Sequence, residues 1–261
     1  MRANDFRYFD PPFAAMAHRG GSLMADNFAR ENTLHAFANA VELGYRYLET
    51  DVHASADGVL VAFHDEDLSR VSGEEGRISE LTWDTIRSAL VGGAEPIPTL
   101  DEILDAFPDA LVNIDIKEEN AIVPLADAIA AHDAYDRVCV ASFSGRRLKA
   151  FRMRMPRPVA TGASPSTVGI TAFFPGLARF LRDPAPVYQM PLSYETLGRE
   201  WKLFGHKLLG AVHKLGKRVH IWTIDDAEVM HRLIDDGVDG IVTDRPDTLK
   251  TVLQARGMWS G

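Results

Sequence analysis

The chain has 261 residues, of which 46% are hydrophobic and 25% are charged, and its formal net charge at pH 7 is −9. This balance excludes a disordered or fibrous chain, and an acidic chain without clustered Lys and Arg is a poor nucleic-acid binder. A length of this order suits one α/β barrel, so we expect a single domain over residues 1–261.

The cysteine content and the apolar runs of the sequence indicate the cellular compartment of the protein. The single cysteine, Cys139, lies in an apolar run and is expected to be a buried small hydrophobe, not half of a disulfide. The first residues lack the apolar stretch of a secretory signal, and no later segment offers the roughly 20 apolar residues that span a bilayer. We therefore expect a cytoplasmic protein without stable membrane insertion, while the oligomeric state stays open.

Eight runs rich in β-forming residues alternate with helical patterns along the chain. The expected strands are 13–18, 45–52, 111–117, 137–143, 157–163, 186–191, 218–224 and 238–244. Eight strands, each followed by a helix, predict a closed parallel (β/α)8 TIM barrel; a doubly wound sheet would give much the same local pattern. Residues 65–98 form an insertion after the second strand, with a short helix expected at 82–90. Residues 164–217 are too long for one simple crossover.

Capping residues mark the ends of several helices. The signals are Asn32 and Gly44 around the first helix, a capping box of Thr99 with Glu102, a second box of Asp225 with Glu228, and Gly237 as the stop before the eighth strand.

Polar side chains are concentrated where the first three expected strands end. Strand one ends in His18 and Arg19, strand two contains Glu49 and Asp51, and strand three ends with Asp115 and then Lys117. Catalytic groups of barrels come from these carboxyl ends, and side chains two residues apart share a face of a strand. The sequence therefore predicts that these side chains converge on one point.

Carboxylates crowded at one point repel each other unless a cation neutralises them. Oxygen ligands suit hard ions, so Glu49, Asp51 and Asp115 predict a site for Mg²⁺ or Ca²⁺. The alternative is that Glu49 and Asp51 form salt bridges with Lys117 or Arg46 around a solvated barrel rim.

Two histidines, His18 and His64, have the chemistry of an acid/base pair for a phosphodiester. One group must activate the nucleophile and another must protonate the leaving alkoxide, and Arg19 can fork onto phosphate oxygens. Of the other histidines, His53 and His220 are ambiguous. Structural roles are expected for His35, His132, His206, His213 and His231.

The motifs, in this order and spacing, resemble those of the glycerophosphodiester phosphodiesterase family. They are AHRG (17–20), ENT (31–33), LETDVHASADG (48–58), FHD (63–65), IDIK (114–117), SF (142–143), WTIDD (222–226) and GVDGIVTDRP (237–246).

The resemblance implies metal-dependent hydrolysis of a small glycerophosphodiester to an alcohol and glycerol 3-phosphate, through a cyclic phosphate. It gives His18 and His64 as the acid/base pair and Glu49 and Asp51 as metal ligands, and Asp115 stands where the family usually has Glu. Arg19 and Lys117 would hold the phosphate, Glu31 would support Arg19 or the glycerol, and Phe143 and Trp222 would line the pocket. Asn32 is expected to cap its helix.

Two rival functions share parts of this pattern. A lysophospholipase D or sphingomyelinase D-like enzyme would use the same chemistry, with an apolar face of Phe173, Phe174, Leu177, Phe180 and Leu181 in contact with acyl chains. Ordinary packing of an outer barrel helix is the simpler expectation for that face. A catalytically inactive barrel that only binds phosphate ligands would not need both His18 and His64.

Overall fold

The computed structural model describes residues 1–196 and 198–259, and in it eight barrel strands alternate with eight outer helices. The strands are β1 Ala14–His18, β2 Tyr47–Ala54, β3 Leu111–Ile116, β4 Val138–Ala141, β5 Ala160–Thr161, β6 Val187–Met190, β7 Arg218–Ile221 and β8 Gly240–Thr243. The helices are α1 Leu34–Glu42, α2 Leu100–Ala106, α3 Ile122–Ala131, α4 Gly145–Arg154, α5 Pro165–Phe173, α6 His206–Lys214, α7 Ala227–Asp236 and α8 Pro246–Ala255.

The eight strands are parallel and form a nearly closed barrel. Their order in the sheet is β5-β4-β3-β2-β1-β8-β7-β6, so β1 lies between β2 and β8. The strands at the two ends of this order meet through a parallel bridge between Gly162 and Val187. The predicted (β/α)8 barrel is confirmed, and the doubly wound alternative is excluded.

The helix-capping predictions are correct at three places. Gly44 follows Leu43, the last cap residue of α1, with a φ of 95°. Thr99 and Glu102 form the capping box that begins α2, where the Glu102 amide donates to Thr99 Oγ1 over 3.1 Å. Gly237 ends α7 in the left-handed conformation, with a φ of 90°. A side chain at this φ would be strained, which explains why glycine stands there.

The other two capping predictions are wrong, because the polar side chains concerned point into the barrel end. Thr33, not Asn32, begins α1, and Asp226, not Asp225, begins α7. Asn32 instead donates to Asp51 Oδ2 over 3.1 Å. Asp225 instead accepts hydrogen bonds from the Thr243 hydroxyl and the Asp244 amide.

The barrel interior away from the carboxyl ends of the strands is apolar, and the N-terminal segment closes it. Tyr8 and Phe9 are buried there and pack with the side chains of the inner strand faces, including Cys139. Cys139 is a free buried thiol, as predicted, and burial raises its pKa. His220 is also fully buried in the interior, and neither of its ring nitrogens has a hydrogen-bond partner among the described residues.

Two long connections extend the carboxyl end of the barrel. After β2, the strand Leu60–Ala62 pairs antiparallel with β2, and the insertion that follows has its own small core. Its predicted helix is shorter than expected, Trp83–Ile86. Between β5 and α6 the chain forms α5, a 3-10 helix Pro175–Phe180, β6 and an antiparallel hairpin of Ser193–Thr196 with Arg199–Lys202. Among the helices that the structure describes, none combines the length and apolar character needed to cross a membrane.

Candidate active site

The carboxyl ends of β1, β2 and β3 bring the predicted polar residues together. In the strand register, His18 lies beside Glu49, and Asp51 lies beside Asp115. These side chains form the floor of a cavity of about 880 Å³. All of the predicted site residues line this cavity except Glu31, which lies behind Arg19. The alternation of side chains along a strand therefore places them as the sequence indicates.

The turn after β1 fixes the direction of Arg19. Arg19 has a φ of 51°, and its amide donates to Glu49 O over 3.0 Å. Gly20 follows with a φ of 86°, where an added Cβ would lie 2.7 Å from Ala36 Cβ. Only glycine lets the chain turn this closely over α1, which explains the glycine after the His-Arg pair.

Two cations pair with two carboxylates of the floor, Asp51 and Asp115. Lys117 Nζ lies between two of them, 2.7 Å from Asp51 Oδ1 and 2.8 Å from Asp115 Oδ2. Arg19 Nε lies 3.1 Å from Asp51 Oδ2 but is not aligned for a hydrogen bond. Of the salt bridges that the sequence allowed as an alternative, the structure has the one between Asp51 and Lys117. The pair of Asp115 with Lys117 was not part of that alternative.

The donor set of the floor fits a hard divalent cation in its chemistry. Glu49, Asp51 and Asp115 offer carboxylate oxygens, and Asp115 Oδ1 is buried without a hydrogen-bond partner among the described residues. Such oxygens are the ligands that Mg²⁺ and Ca²⁺ prefer. As the side chains stand, no group of three His, Cys, Asp or Glu residues in the described part of the chain is arranged to hold a metal ion.

Each candidate catalytic histidine is held by a carboxylate. His18 Nδ1 lies 2.9 Å from Asp244 Oδ1, which also accepts the Ser22 hydroxyl over 2.7 Å. His64 Nδ1 lies 2.6 Å from Asp65 Oδ1. A carboxylate at Nδ1 makes that nitrogen the donor and leaves Nε2 free to accept or give a proton. Both rings line the cavity, so both can act on one bound molecule.

The sequence interpretation assigned no role to Asp244 or Ser22. The candidate residues of the first three strands were chosen because they stand at the carboxyl ends of their strands. Asp244 stands at such an end as well, directly after β8. Its partner His18 is 226 residues away, and only the closure of the barrel brings the two together. The signal available in the sequence was therefore the position of Asp244 at a strand end.

Burial and neighbouring charges set the ionisation of these groups. Burial raises the pKa of Glu49, and the adjacent Asp51 adds to the rise. Burial would also raise the pKa of Asp51, but Lys117 and Arg19 together outweigh it and the pKa is lowered. Burial would lower the pKa of His18, yet Glu49 and Asp244 outweigh it and the pKa is raised. A raised pKa makes His18 a better proton acceptor.

A chain of ion pairs connects Arg19 to the loop of His64. Glu31 Oε1 accepts from Arg19 Nη1 over 3.2 Å and from Arg70 Nη2 over 2.6 Å. Arg70 also donates to Asp65, the carboxylate that holds His64. Glu31 thus contacts Arg19, one of the two roles that the resemblance implied.

The cavity has one polar side and one apolar side. Phe143 and Trp222 meet edge to face above the floor, with ring centroids 5.7 Å apart, and Lys117 Nζ lies 5.9 Å from the Phe143 ring centroid. Of the apolar side, the sequence indicated only Phe173, as part of the face that could contact acyl chains. The apolar side includes Val168, Phe173, Met190, Tyr194, Trp201 and Leu203.

The segment after α5 does not pack as an ordinary outer helix. Phe173, Phe174, Leu177 and Phe180 are exposed, so the expectation of packing is wrong for these four residues. Of the two ambiguous histidines, His53 approaches His64 O at 3.2 Å and His220 lies in the barrel interior. The five histidines expected to be structural lie outside the cavity lining.

Comparison with known proteins agrees with this geometry. The model of the glycerophosphoryl diester phosphodiesterase family matches residues 18–248. The chain is 39% identical over 252 residues to "Probable glycerophosphodiester phosphodiesterase 2" of Mycobacterium tuberculosis, covering 95% of this chain and 93% of that protein. It is 32% identical over 258 residues to "Glycerophosphodiester phosphodiesterase" of Caldanaerobacter subterraneus, covering 93% of this chain and 98% of that protein.

A solved structure supports the fold independently. The Oleispira antarctica phosphodiesterase in complex with the product sn-glycerol-3-phosphate superimposes with a TM-score of 0.75 at 24% identity, covering 92% of this chain and 96% of that one. The family match covers most of the chain, and both relatives are matched over nearly their full length. The chain therefore belongs to the glycerophosphoryl diester phosphodiesterase family.

Proposed function

We propose that this chain hydrolyses glycerophosphodiesters to an alcohol and glycerol 3-phosphate, with His18 and His64 as the acid/base pair. The observation that carries the proposal is that two carboxylate-held histidines face one cavity whose floor holds Arg19 and Lys117. The names of the two relatives and the product bound to the Oleispira antarctica enzyme support the substrate class.

Arg19 and Lys117 are the groups that bind the phosphate. The Arg19 guanidinium forks onto two oxygens, while Lys117 supplies a point charge. Glu31 holds Arg19 from behind, so the guanidinium is ordered before the substrate arrives. Phe143 and Trp222 flank the substrate and limit the access of water to the phosphorus.

His18 accepts the proton of the glycerol 2-hydroxyl as that oxygen attacks phosphorus. The bond from phosphorus to the alcohol oxygen breaks, and His64 donates a proton to the departing oxygen. The product of this step is a cyclic glycerol phosphate. A neighbouring hydroxyl avoids the entropic cost of capturing water, an advantage that reaches about 7–11 kcal/mol in well-oriented systems. Water then adds to phosphorus, His64 takes its proton, and His18 returns a proton to the 2-oxygen as the ring opens.

Glu49, Asp51 and Asp115 would hold a divalent cation, Mg²⁺ or Ca²⁺. When bound there, such an ion polarises phosphate oxygens and stabilises the charge added at phosphorus. Asp115 Oδ1, which is buried without a hydrogen-bond partner in the part of the chain that the structure describes, supports this assignment. A loss of most activity on Asp51→Asn without unfolding is the expected sign of this role.

An assay of glycerol 3-phosphate release from glycerophosphocholine tests the proposal. We expect turnover with added Mg²⁺ or Ca²⁺ and little after exhaustive chelation. His18→Ala and His64→Ala should each be nearly inactive. His132→Ala is the matched control, because His132 binds Asp101 outside the cavity. Absence of product with either ion, across a panel of glycerophosphodiester headgroups, would refute the assignment.

Lysophospholipids are the second candidate substrates. A cavity of about 880 Å³ is large for a glycerophosphate group, and one side of it is apolar. An acyl chain lying along Phe173, Leu203 and Met190 would fill that side. Comparison of choline release from lysophosphatidylcholine and glycerophosphocholine separates the candidates. Leu203→Asn should impair only the former if the acyl chain lies there, and equal effects on both substrates would contradict this placement.

A further inference from the structure

Exposed apolar side chains lie around one side of the cavity mouth. We call the group of Phe173, Phe174, Leu177, Phe180, Tyr194 and Trp201 the aromatic rim. Each of these side chains keeps between 38% and 65% of its surface exposed. An apolar cluster of this kind on a water-soluble surface marks a site of interaction.

The aromatic rim is assembled from two segments that touch. Tyr194 and Trp201 are cross-strand partners in the hairpin that follows β6. Trp201 meets Phe173 at the end of α5, with ring centroids 5.7 Å apart and the planes nearly perpendicular. Phe174, Leu177 and Phe180 follow Phe173 in the chain and are exposed as well. The contact of Phe173 with Trp201 therefore joins the two segments at the cavity mouth.

The aromatic rim is continuous with the apolar side of the cavity. Phe173, Tyr194 and Trp201 belong to the rim and also line the cavity. An apolar path thus runs from the surface of the molecule towards the floor that holds the histidines. A protein partner seated on the rim would obstruct the cavity mouth, whereas a lipid surface would leave a lipid ligand access to it.

The charge around the rim is opposite to that of the chain. The formal net charge of the chain is −9, yet Arg179 lies 4.7 Å from the Phe180 ring centroid and Arg199 lies 5.1 Å from that of Trp201. Residues 170–202 contain four Arg and Lys residues and three acidic residues. One of the acids, Asp183, is buried beside Arg152. The other two, Glu195 and Glu200, are exposed on the hairpin. In these segments, four exposed basic residues therefore stand against two exposed acidic ones.

We propose that the aromatic rim binds the surface of an anionic lipid bilayer. Phe174, Leu177 and Phe180 enter the interfacial layer, while Arg179 and Arg199 contact the anionic headgroups. Aromatic side chains and arginines suit this layer, because it joins the apolar acyl chains to the hydrated, charged headgroups. The inference goes beyond the proposed reaction, because binding to the bilayer requires no turnover.

Co-sedimentation of the full chain with vesicles tests this proposal. The vesicles are phosphatidylcholine alone, or equal parts of phosphatidylcholine and phosphatidylglycerol. We expect binding that is stronger to the anionic vesicles. The double variant Phe174→Ser/Phe180→Ser should lower the partition coefficient about tenfold or more, because it removes apolar surface that would enter the lipid. Arg179→Glu/Arg199→Glu should abolish the preference for anionic vesicles.

Matched controls come from α4. Met153→Ser removes another exposed apolar side chain and Lys149→Glu reverses another exposed charge, and neither position belongs to the rim. Both should bind vesicles as the wild type does. Circular dichroism checks that every variant is folded. Because vesicle binding requires no turnover, the test does not depend on whether the chain hydrolyses glycerophosphodiesters.

Three results would overturn the proposal. The first is that the wild-type chain does not sediment with anionic vesicles at low salt. The second is that the rim variants sediment with these vesicles as well as the wild type does. The third is that sedimentation velocity shows a wild-type dimer that Phe174→Ser/Phe180→Ser dissociates, while no variant responds to lipid. The rim would then be an interface between two copies of the chain.

Discussion

Asp244 should be a positioning residue whose charge supports proton transfer by His18. The perturbation is Asp244→Asn, which keeps the size of the side chain and an oxygen that can accept from Nδ1, but removes the charge. His18 becomes an imidazolium when it accepts a proton, and its Nδ1 lies 2.9 Å from Asp244 Oδ1. Loss of the carboxylate therefore destabilises the transition state more than the ground state.

The size of this effect follows from the distance and the burial. Two unit charges about 4 Å apart attract by about 4 kcal/mol at an effective dielectric constant of about 20. The two side chains are 16% and 18% exposed, so water screens part of this attraction. Since about 1.4 kcal/mol corresponds to a tenfold change in rate, we expect kcat/KM to fall between about one-hundredfold and about one-thousandfold.

Steady-state kinetics on glycerophosphocholine, with glycerol 3-phosphate binding measured by calorimetry, checks this prediction. The loss should lie in kcat, while the product Kd changes little, because Asp244 acts on the base and not on the phosphate. Asp247→Asn is the matched control, since that carboxylate pairs with Arg245 near the surface. The reasoning is refuted if Asp244→Asn keeps near wild-type kcat, or if product binding is lost in parallel.

Three further predictions concern the leaving group, the nucleophile and the barrel interior. His64→Ala should be nearly inactive on alkyl diesters but recover partly on aryl diesters, whose leaving groups need little protonation; equal losses would contradict its role. An analogue with hydrogen in place of the glycerol 2-hydroxyl should bind but resist cleavage, and its rapid turnover without a cyclic phosphate in phosphorus NMR would exclude the cyclic route. Burial lowers the pKa of His220 to about 3, whereas a histidine in the unfolded chain has a pKa of about 6.5. Between these two pH values the unfolded chain binds a proton that the folded chain does not. The free energy of unfolding should therefore fall by about 1.4 kcal/mol for each unit by which the pH decreases between them. Denaturation of His220→Leu should lack this component, and parallel pH profiles for the two proteins would refute it.

The barrel and its floor could be predicted because both depend on short-range patterns. Strand runs have a period of two, and their carboxyl ends carry His18, Glu49 and Asp115, so convergence followed from the fold. The roles of Asn32 and Asp225 could not be predicted in this way. Both stand where helix caps are common, but the barrel end contains polar groups distant in sequence that bind these side chains instead.

The aromatic rim lay beyond sequence reasoning for a different reason. Apolar residues at helical spacing predict a buried face, which was the expectation for Phe173, Phe174 and Leu177. In the structure, α5 ends at Phe173, and a 3-10 helix carries the chain away in a new direction. The partner surface comes from the hairpin of Tyr194 and Trp201, and neither residue has a periodic signal in the sequence.

The charge of the floor leads to a last prediction, on the coupling of phosphate and cation. Among the described residues, Glu49, Asp51 and Asp115 lie beside two permanent cations, Lys117 and Arg19, and the raised pKa of Glu49 relieves part of the imbalance of charge. A phosphodiester brings more negative charge to the same place, so a divalent cation should favour its binding, and by linkage the phosphate should favour the cation equally. Couplings of this kind are typically about 1–3 kcal/mol, which corresponds to a decrease of about 5- to 150-fold in Kd. Calorimetric titration of glycerol 3-phosphate with and without Mg²⁺ or Ca²⁺ measures the effect, and Asp115→Asn should reduce it by removing one donor. An unchanged product Kd at saturating concentrations of either ion would show that the three carboxylates serve Lys117 and Arg19 alone.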